Sequence, residues 1–265
     1  MLPQRPGDEL DVPAAAVTWM YVGAVGFSLV CYGVAWITAG DWMVLRAGDL
    51  WNPGAAIGEA VRRVWFVFAW ALALTVLLEA YAARRGHLEL RPPGLILRRG
   101  AWISLNAGVF EELIYRWLLF FTAMVVLRAL NAISLGAVEW MYTTVLLPLV
   151  DVVTFGALSP HLVDHPRWLL GAALVSANAA FRRAHQRATL IGRANSWAMG
   201  MVYFWLLLTY DMRAAMVVHT AYDLVVFTTV AASTALRQRR LRRRLALLGV
   251  PPPPRPDDRD PLPGP

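Results

Sequence analysis

Residues 101–130 read AWISLNAGVFEELIYRWLLFFTAMVVLRAL, an apolar stretch that carries Glu111, Glu112 and Arg116 near its centre. Its length and composition predict a membrane-spanning helix, because about 20 apolar residues cross a bilayer. An ionised side chain at mid-bilayer costs ~3 kcal/mol on insertion scales, so such groups usually face a protein interior or a wet cavity and mark a functional site. On an α-helix, Glu112 and Arg116 lie one turn apart and can pair, which leaves Glu111 for chemistry.

The composition of the chain is that of a multi-pass membrane protein. Of its 265 residues, 58% are hydrophobic and 12 are tryptophans, and the mean hydropathy is +0.47. The net charge is +7, and all 25 basic residues are arginines, which cluster between apolar runs and in the tail. Cytoplasmic membrane loops have this charge pattern, so we expect a lipid bilayer as partner and no nucleic acid. The single cysteine excludes an intramolecular disulfide.

Apolar runs predict an all-α fold of transmembrane helices. The runs lie at about 14–39, 64–83, 101–130, 133–158, 168–185, 196–210 and 214–235. A polar N-terminal tail at 1–13 precedes this transmembrane domain of residues 14–235, and a basic connector at 84–100 is placed on the cytoplasmic side. Residues 236–265 form a tail that is rich first in arginine and then in proline, and we predict it to be disordered and cytoplasmic.

The loop charges set the number of membrane crossings. With the tail in the cytoplasm, counting the membrane crossings backward from it places both ends of residues 101–130 on the cytoplasmic side. Two crossings would then be needed, but each takes about 20 residues, and this segment is too short for both. That segment is therefore predicted to be a re-entrant or broken hairpin, unless the run at 133–158 splits at Pro148. Seven and eight helices both satisfy the pattern. We favour a bundle of about eight helices with a recessed intramembrane polar site.

Three more polar residues in apolar runs accompany the two glutamates. His185 ends the run that contains Phe181, and His219 and Asp223 lie one helical turn apart in the last run. A single histidine in a transmembrane helix often does no more than hydrogen-bond to a neighbouring helix. Two histidines, an aspartate and a glutamate on helices that can converge are instead the groups needed to activate a water molecule.

The order of these groups resembles a known family. Glu111-Glu112-x-x-x-Arg116, Phe181-x-x-x-His185 and His219-x-x-x-Asp223 are similar to the three motifs of the CPBP (Abi) family of intramembrane metalloproteases. That family includes the type II CAAX prenyl endopeptidases and bacterial bacteriocin-processing or self-immunity proteins. The resemblance covers residues 101–235.

The resemblance implies an endopeptidase that hydrolyses a peptide bond in a membrane-associated or prenylated peptide substrate. Glu111 would activate water with the help of His185, and His219 and Asp223 would stabilise the oxyanion. Glu112 and Arg116 would support the helix turn that presents Glu111. Many family members have asparagine at the position of Asp223, and an ionised aspartate cannot donate to an oxyanion. Asp223 must therefore be protonated or must orient His219.

The need for a metal stays open at this stage. Glutamate and histidine are zinc ligands, so Glu111, His185 and His219 would be the metal ligands if zinc is bound. A scheme in which glutamate activates water needs no metal, and the sequence has no His-Glu-x-x-His motif.

Two other functions stay open as well. A non-catalytic membrane scaffold or immunity-type protein would keep the charged residues for structural reasons. A proton-coupled transporter would use them to move protons, although it would favour two pseudo-symmetric halves, and the sequence shows none. For all three functions we expect an integral membrane protein, placed in the bacterial plasma membrane.

Overall fold

The computed structural model describes residues 14–37, 50–52, 54, 56–85, 91–162, 167–185 and 189–249. The predicted polar tail at 1–13 and the proline-rich end at 250–265 lie outside these residues. Within them every regular element is a helix, which confirms the predicted all-α fold. The elements are α1 (Ala14–Ile37), α2 (Ile57–Arg63), α3 (Trp65–Arg84), α4 (Pro93–Asn106), a first π-helix (Ala107–Leu118), α5 (Leu119–Ile133), α6 (Ala137–Met141), a second π-helix (Tyr142–Leu146), α7 (Leu147–Val153), α8 (Ser159–Leu162), α9 (Trp168–Ala184), α10 (Leu190–Thr209) and α11 (Met212–Leu247).

Three described helical stretches are long and apolar enough to cross a membrane: Trp65–Arg84, Pro93–Ile133 and Met212–Leu247. Their outer surfaces are apolar too. On α3, for example, Trp65 and Leu77 are 65% and 67% exposed. Large apolar side chains exposed in rows on a helix indicate contact with lipid rather than with water.

The stretch that carries the two glutamates is one continuous helical path. α4, the first π-helix and α5 follow one another from Pro93 to Ile133 without a break, so the predicted re-entrant or broken hairpin at 101–130 is wrong. The path also begins inside the predicted basic connector. Pro93 lies in the first turn of α4, where its missing N–H costs no hydrogen bond and its fixed φ favours a helical start.

Pro148 does not split its apolar run. It lies in the first turn of α7, directly after the second π-helix, so the helical path from Ala137 to Val153 continues through it. Because the path is continuous, the missing N–H of Pro148 costs the helix one internal hydrogen bond. The number of membrane crossings stays a prediction.

The chain divides into two compact units. The first comprises Met1–Trp51 and Leu113–Leu208. In it α5 packs against α1 and α9, and Tyr32 contacts the rings of Trp117 and Phe121 at 5.3 and 5.7 Å. At Gly171 of α9 an added Cβ would collide with the hydroxyl of buried Tyr142, the first residue of the second π-helix. The absence of a side chain at Gly171 therefore lets α9 and this π-helix approach each other.

The second unit comprises Asn52–Glu112 and Thr209–Pro265. Its longest helix, α11, packs against α2, α3 and α4. Asp211 starts this helix: its Oδ1 accepts a hydrogen bond from the Ala214 N–H at 2.8 Å, as an N-cap residue does. The Asp211 carboxylate also pairs with Arg213, at 2.6 Å.

α11 and α3 run in the same direction. Near the start of α11, Arg213 donates to the Asn52 carbonyl, and near the end of α3 the Glu79 carboxylate accepts from Ser233 and Arg237. α4 runs the opposite way, because Gly108 lies against Thr220 whereas Arg91 lies beside Gln238.

α11 also corrects the predicted start of the tail. The helix does not end at residue 235 but continues to Leu247 through the arginine-rich segment. Arginine and leucine have good helix propensity, and the next helix-breaking residue, Gly249, adopts a positive φ of 68°. The apolar run therefore marked the apolar part of α11 rather than its full length.

Candidate active site

The motif with the two glutamates adopts a π-helix, Ala107–Leu118. In a π-helix the backbone bonds run from residue i to i+5, so the turn is wider than in an α-helix. Such helices are rare, and they occur frequently at functional sites. The α-helical spacing assumed for Glu112 and Arg116 from the sequence does not apply in this segment.

Glu112 holds the imidazole of His219. Its Oε1 lies 2.7 Å from His219 Nδ1, and both residues are buried, at 0% and 4% exposure. A carboxylate oxygen accepts, so Nδ1–H must donate. This bond fixes the orientation of the ring and directs Nε2 away from Glu112, as a carboxylate does for a catalytic or metal-bound histidine.

The other ring nitrogen, His219 Nε2, faces two more carboxylates. Glu111 Oε2 lies 4.0 Å from it and Asp223 Oδ2 lies 3.9 Å from it. The side chains of Glu111 and Asp223 are partly exposed, at 32% and 24%, whereas Glu112 is fully buried. Glu111 Oε2 itself is buried and accepts no hydrogen bond from the described part of the chain. A polar atom in that situation is one that a substrate or a water would satisfy.

A close helix contact brings Glu112 to His219. At Gly108, one helical turn before Glu112, an added Cβ would overlap Thr220 Oγ1 and lie 2.9 Å from Thr220 N and 3.0 Å from Met216 O. The π-helix and α11 therefore touch backbone to backbone beside the site. Sequence reasoning missed Gly108 and Thr220, although a glycine in an apolar run is the residue that permits such an approach.

Arg116 belongs to the first unit, where it lies fully buried among aromatic rings. Its guanidinium carbon is 4.1 Å from the centroid of the Phe181 ring and 5.3 to 6.0 Å from three others, those of Tyr203, Phe204 and Tyr115. Its Nη2 also donates to the Gly200 carbonyl at 3.5 Å. Cation–π contacts of a desolvated arginine are worth ~2 kcal/mol or more, so this cluster stabilises the packing around the motif.

His185 also lies in the first unit and contacts the same phenylalanine. Its Nδ1 is 2.9 Å from the Phe181 carbonyl oxygen, and its ring is 4.8 Å from the Phe181 ring. A carbonyl only accepts, so Nδ1–H donates here too. In neutral His185 the lone pair is then on Nε2, the nitrogen that could act on water.

The predicted site residues therefore form two groups. Glu111, Glu112, His219 and Asp223 come together in the second unit, and Arg116 and His185 share Phe181 in the first. The contact between Glu112 and His219, two residues 107 positions apart, was not predicted. The predicted pair of Glu112 and Arg116 and the joint action of His185 with Glu111 stay predictions.

A metal site needs several donor atoms at coordination distance from one point. Zinc takes nitrogen and oxygen ligands at about 2.0–2.2 Å. Within the described ranges no group of three or more histidine, cysteine, aspartate or glutamate side chains has an arrangement that could hold a metal ion. The zinc ligands Glu111, His185 and His219 stay a prediction.

Comparison with known proteins does not identify the chain. No protein-family profile, no curated protein and no solved structure matches it significantly. The resemblance to intramembrane proteases therefore depends on the three motifs, and the function must be argued from the site.

Proposed function

We propose that the protein is an intramembrane endopeptidase in which Glu111 and His219 act on a water molecule. The observation that carries the proposal is the pair of contacts on one imidazole. Buried Glu112 holds Nδ1 at 2.7 Å, and Nε2 faces the buried Glu111 Oε2 across 4.0 Å. A scaffold protein has no need for this arrangement in an apolar stretch, where each charge is costly.

The spacing across Nε2 suits a water molecule. A water with hydrogen bonds of about 2.8 Å can bridge two atoms that are 4.0 Å apart, as Glu111 Oε2 and His219 Nε2 are. In the proposed reaction the water oxygen attacks the peptide carbonyl carbon while its proton passes to the Glu111 carboxylate. The same proton then moves to the leaving nitrogen as the C–N bond breaks, which yields a carboxylic acid and an amine; the acid then gives up its proton to the amine, so the products leave as a carboxylate and an ammonium.

Glu112 has a separate part in this scheme. With Glu112 accepting from Nδ1–H, a second proton on Nε2 makes His219 a donor toward the oxyanion of the tetrahedral intermediate. The buried carboxylate compensates the positive charge of the ring, as the aspartate of a Ser-His-Asp triad does. A donor fixed in that place is worth about 3 kcal/mol of transition-state stabilisation. Glu112 is thus assigned as a positioning residue and Glu111 as the general base.

His185 and Asp223 are assigned supporting parts in the proposed reaction. The Nδ1–H bond of His185 to the Phe181 carbonyl leaves the lone pair of the neutral ring on Nε2, and its help to Glu111 is assigned from the resemblance of the motifs. Asp223 Oδ2 is 3.9 Å from His219 Nε2, so it can orient the ring or, when protonated, donate to the oxyanion.

The substrate class follows from the surroundings of the site. The glutamates lie within a stretch of 41 helical residues that is apolar enough to cross a membrane. The peptide must therefore be membrane-associated, either embedded in the bilayer or carried by a lipid such as a prenyl group. In this proposal the chain crosses the bacterial plasma membrane several times, with the C-terminal end of α11 in the cytoplasm.

A comparison of two glutamine variants tests the proposal. Glu111→Gln keeps the size of the side chain but removes the base. The amount of each membrane peptide that the wild-type protein produces should therefore fall at least about 100-fold. Glu139→Gln is the matched control, because Glu139 bonds to Asn131 outside the site. Peptidomics of membranes from cells that express each variant measures the effect, with protein levels checked by immunoblot.

The same experiment separates the other functions. An unchanged set of peptides with Glu111→Gln would refute the peptidase and favour a scaffold. Unchanged peptides together with a loss of proton-driven uptake into vesicles would favour a transporter.

A further inference from the structure

A second charged region lies at one end of the second unit. It consists of arginines at the ends of three helices, and we name it the arginine collar. Its members are Arg84 and Arg85 at the end of α3, Arg91 just before α4, and Arg239, Arg240, Arg242, Arg243 and Arg244 on α11. All of them are exposed except Arg242, which is half-buried.

The helix register brings these arginines to one height. Glu79 of α3 contacts Arg237 of the parallel α11, and an α-helix rises about 1.5 Å per residue. Glu79 also accepts from Ser233, so five residues further along each helix Arg84 is level with the turn of α11 between residues 238 and 242. Arg91 joins this level from the antiparallel α4, since its carbonyl accepts from Gln238 Nε2 at 3.3 Å.

The arginines that α11 contributes to the collar have no acidic side chain in their own segment of the helix. Glu79 already pairs with Arg237, which is not a member of the collar, and residues 236–247 contain no acidic side chain. The apolar span of α3 ends at Arg84, so the collar lies at the depth where phospholipid headgroups begin. Guanidinium groups bind phosphate oxygens in a bidentate manner, which a lysine cannot do.

We propose that the arginine collar binds the headgroups of anionic phospholipids in one leaflet. The charge, the height and the side-chain chemistry together fit a negatively charged phosphodiester surface. This binding fixes the depth of α11 in the membrane, and hence of the whole second unit. The proposal does not depend on any enzymatic activity.

The test counts the lipids that remain bound to the full-length protein. The protein is purified in detergent with equal amounts of phosphatidylglycerol and phosphatidylcholine and analysed by native mass spectrometry. We expect phosphatidylglycerol to dominate at low salt and its excess to shrink at high salt. The double variant Arg239→Gln/Arg243→Gln should lower the ratio of the two lipids by up to about fivefold per arginine.

A matched control removes the same charge from outside the collar. Arg255→Gln/Arg259→Gln lies beyond the described residues and should leave the lipid ratio as in the wild type. Glutamine preserves helix propensity, so the collar variant should keep the melting temperature of the control. The proposal is overturned by equal retention of both lipids in the wild type, or by an equal decrease in the two double variants.

Two further binding experiments test inorganic phosphate and DNA as alternative ligands of the collar. Displacement of phosphatidylglycerol by inorganic phosphate, beyond that by sodium chloride of equal ionic strength, would assign the collar to free phosphate and overturn the proposal. Binding of a DNA duplex that is lost in Arg239→Gln/Arg243→Gln, without enrichment of phosphatidylglycerol, would overturn it as well.

Discussion

Replacing Gly108 by alanine should separate the π-helix from α11 beside the site. The added Cβ would meet Thr220 Oγ1, which can rotate away, but also Thr220 N at 2.9 Å and Met216 O at 3.0 Å. Those backbone atoms cannot move independently of the helix. Ordinary contact begins at 3.4 Å, so one helix must retreat by about 0.5 Å.

That retreat has two measurable costs. Overpacking of this kind destabilises by about 1–3 kcal/mol, which lowers the melting temperature by roughly 2–4 °C for each kcal/mol. It also stretches the bond between Glu112 and His219 from 2.7 Å toward the limit of a hydrogen bond. Since a misplacement of 1 Å can cost about 100-fold in rate, half of that should cost about tenfold.

The assay compares Gly108→Ala with Gly94→Ala in thermal unfolding and in peptide cleavage. Gly94 lies in the first turn of α4, where a Cβ would meet nothing within 4 Å, so its alanine variant should be as stable as the wild type or more stable. Adding Thr220→Ala to Gly108→Ala should restore only part of the loss, because the backbone contacts persist. Equal melting temperatures and rates for the two glycine variants would refute the reasoning.

Three further predictions concern other contacts. Glu112→Gln should lower cleavage by about 10- to 100-fold at unchanged protein level, because the amide still bonds to His219 but no longer compensates its charge; wild-type rates would contradict this. Gly200→Ala should lower the melting temperature, since its Cβ would overlap Asn178 Oδ1, whereas an unchanged value would show that this contact can relax at no cost. Burial lowers the pKa of His161 below its usual 6.5, so the folded state resists protonation and becomes less stable as the pH falls below 6.5. His161→Gln should therefore reduce the fall of the melting temperature with decreasing pH. An unchanged pH dependence of the melting temperature would contradict this prediction.

The apolar pattern predicted two of the helices closely. The runs at 64–83 and 168–185 correspond to Trp65–Arg84 and Trp168–Ala184 within one residue at each end. Hydropathy detects runs of apolar side chains and not the hydrogen bonds of a helix. It therefore missed the first turns of α4, which lie in a basic segment, and the last turns of α11, which run through the arginines.

The sequence could name the site residues but not their contacts. Glu111, His219 and Asp223 stood out because ionisable groups are rare in apolar runs. The contact of Glu112 with His219 depends on a π-helix and on the close approach at Gly108. The close approach joins Gly108 to Thr220 and Met216, which are far away in the sequence, so no local pattern records it. Residue-by-residue propensities favour an α-helix there, so the natural prediction was an intrahelical pair with Arg116.

The burial of the two neighbouring glutamates explains why they should have different parts. A fully buried carboxylate that already accepts a hydrogen bond, as Glu112 does from His219, is held in place and is unsuited to exchange protons with substrate. Glu111 is partly open, and its Oε2 is turned toward Nε2 without a hydrogen bond from any described residue. If the roles were reversed, Glu112→Gln would abolish cleavage completely and Glu111→Gln would only slow it. The relative size of the two effects therefore tests the assignment independently of the substrate.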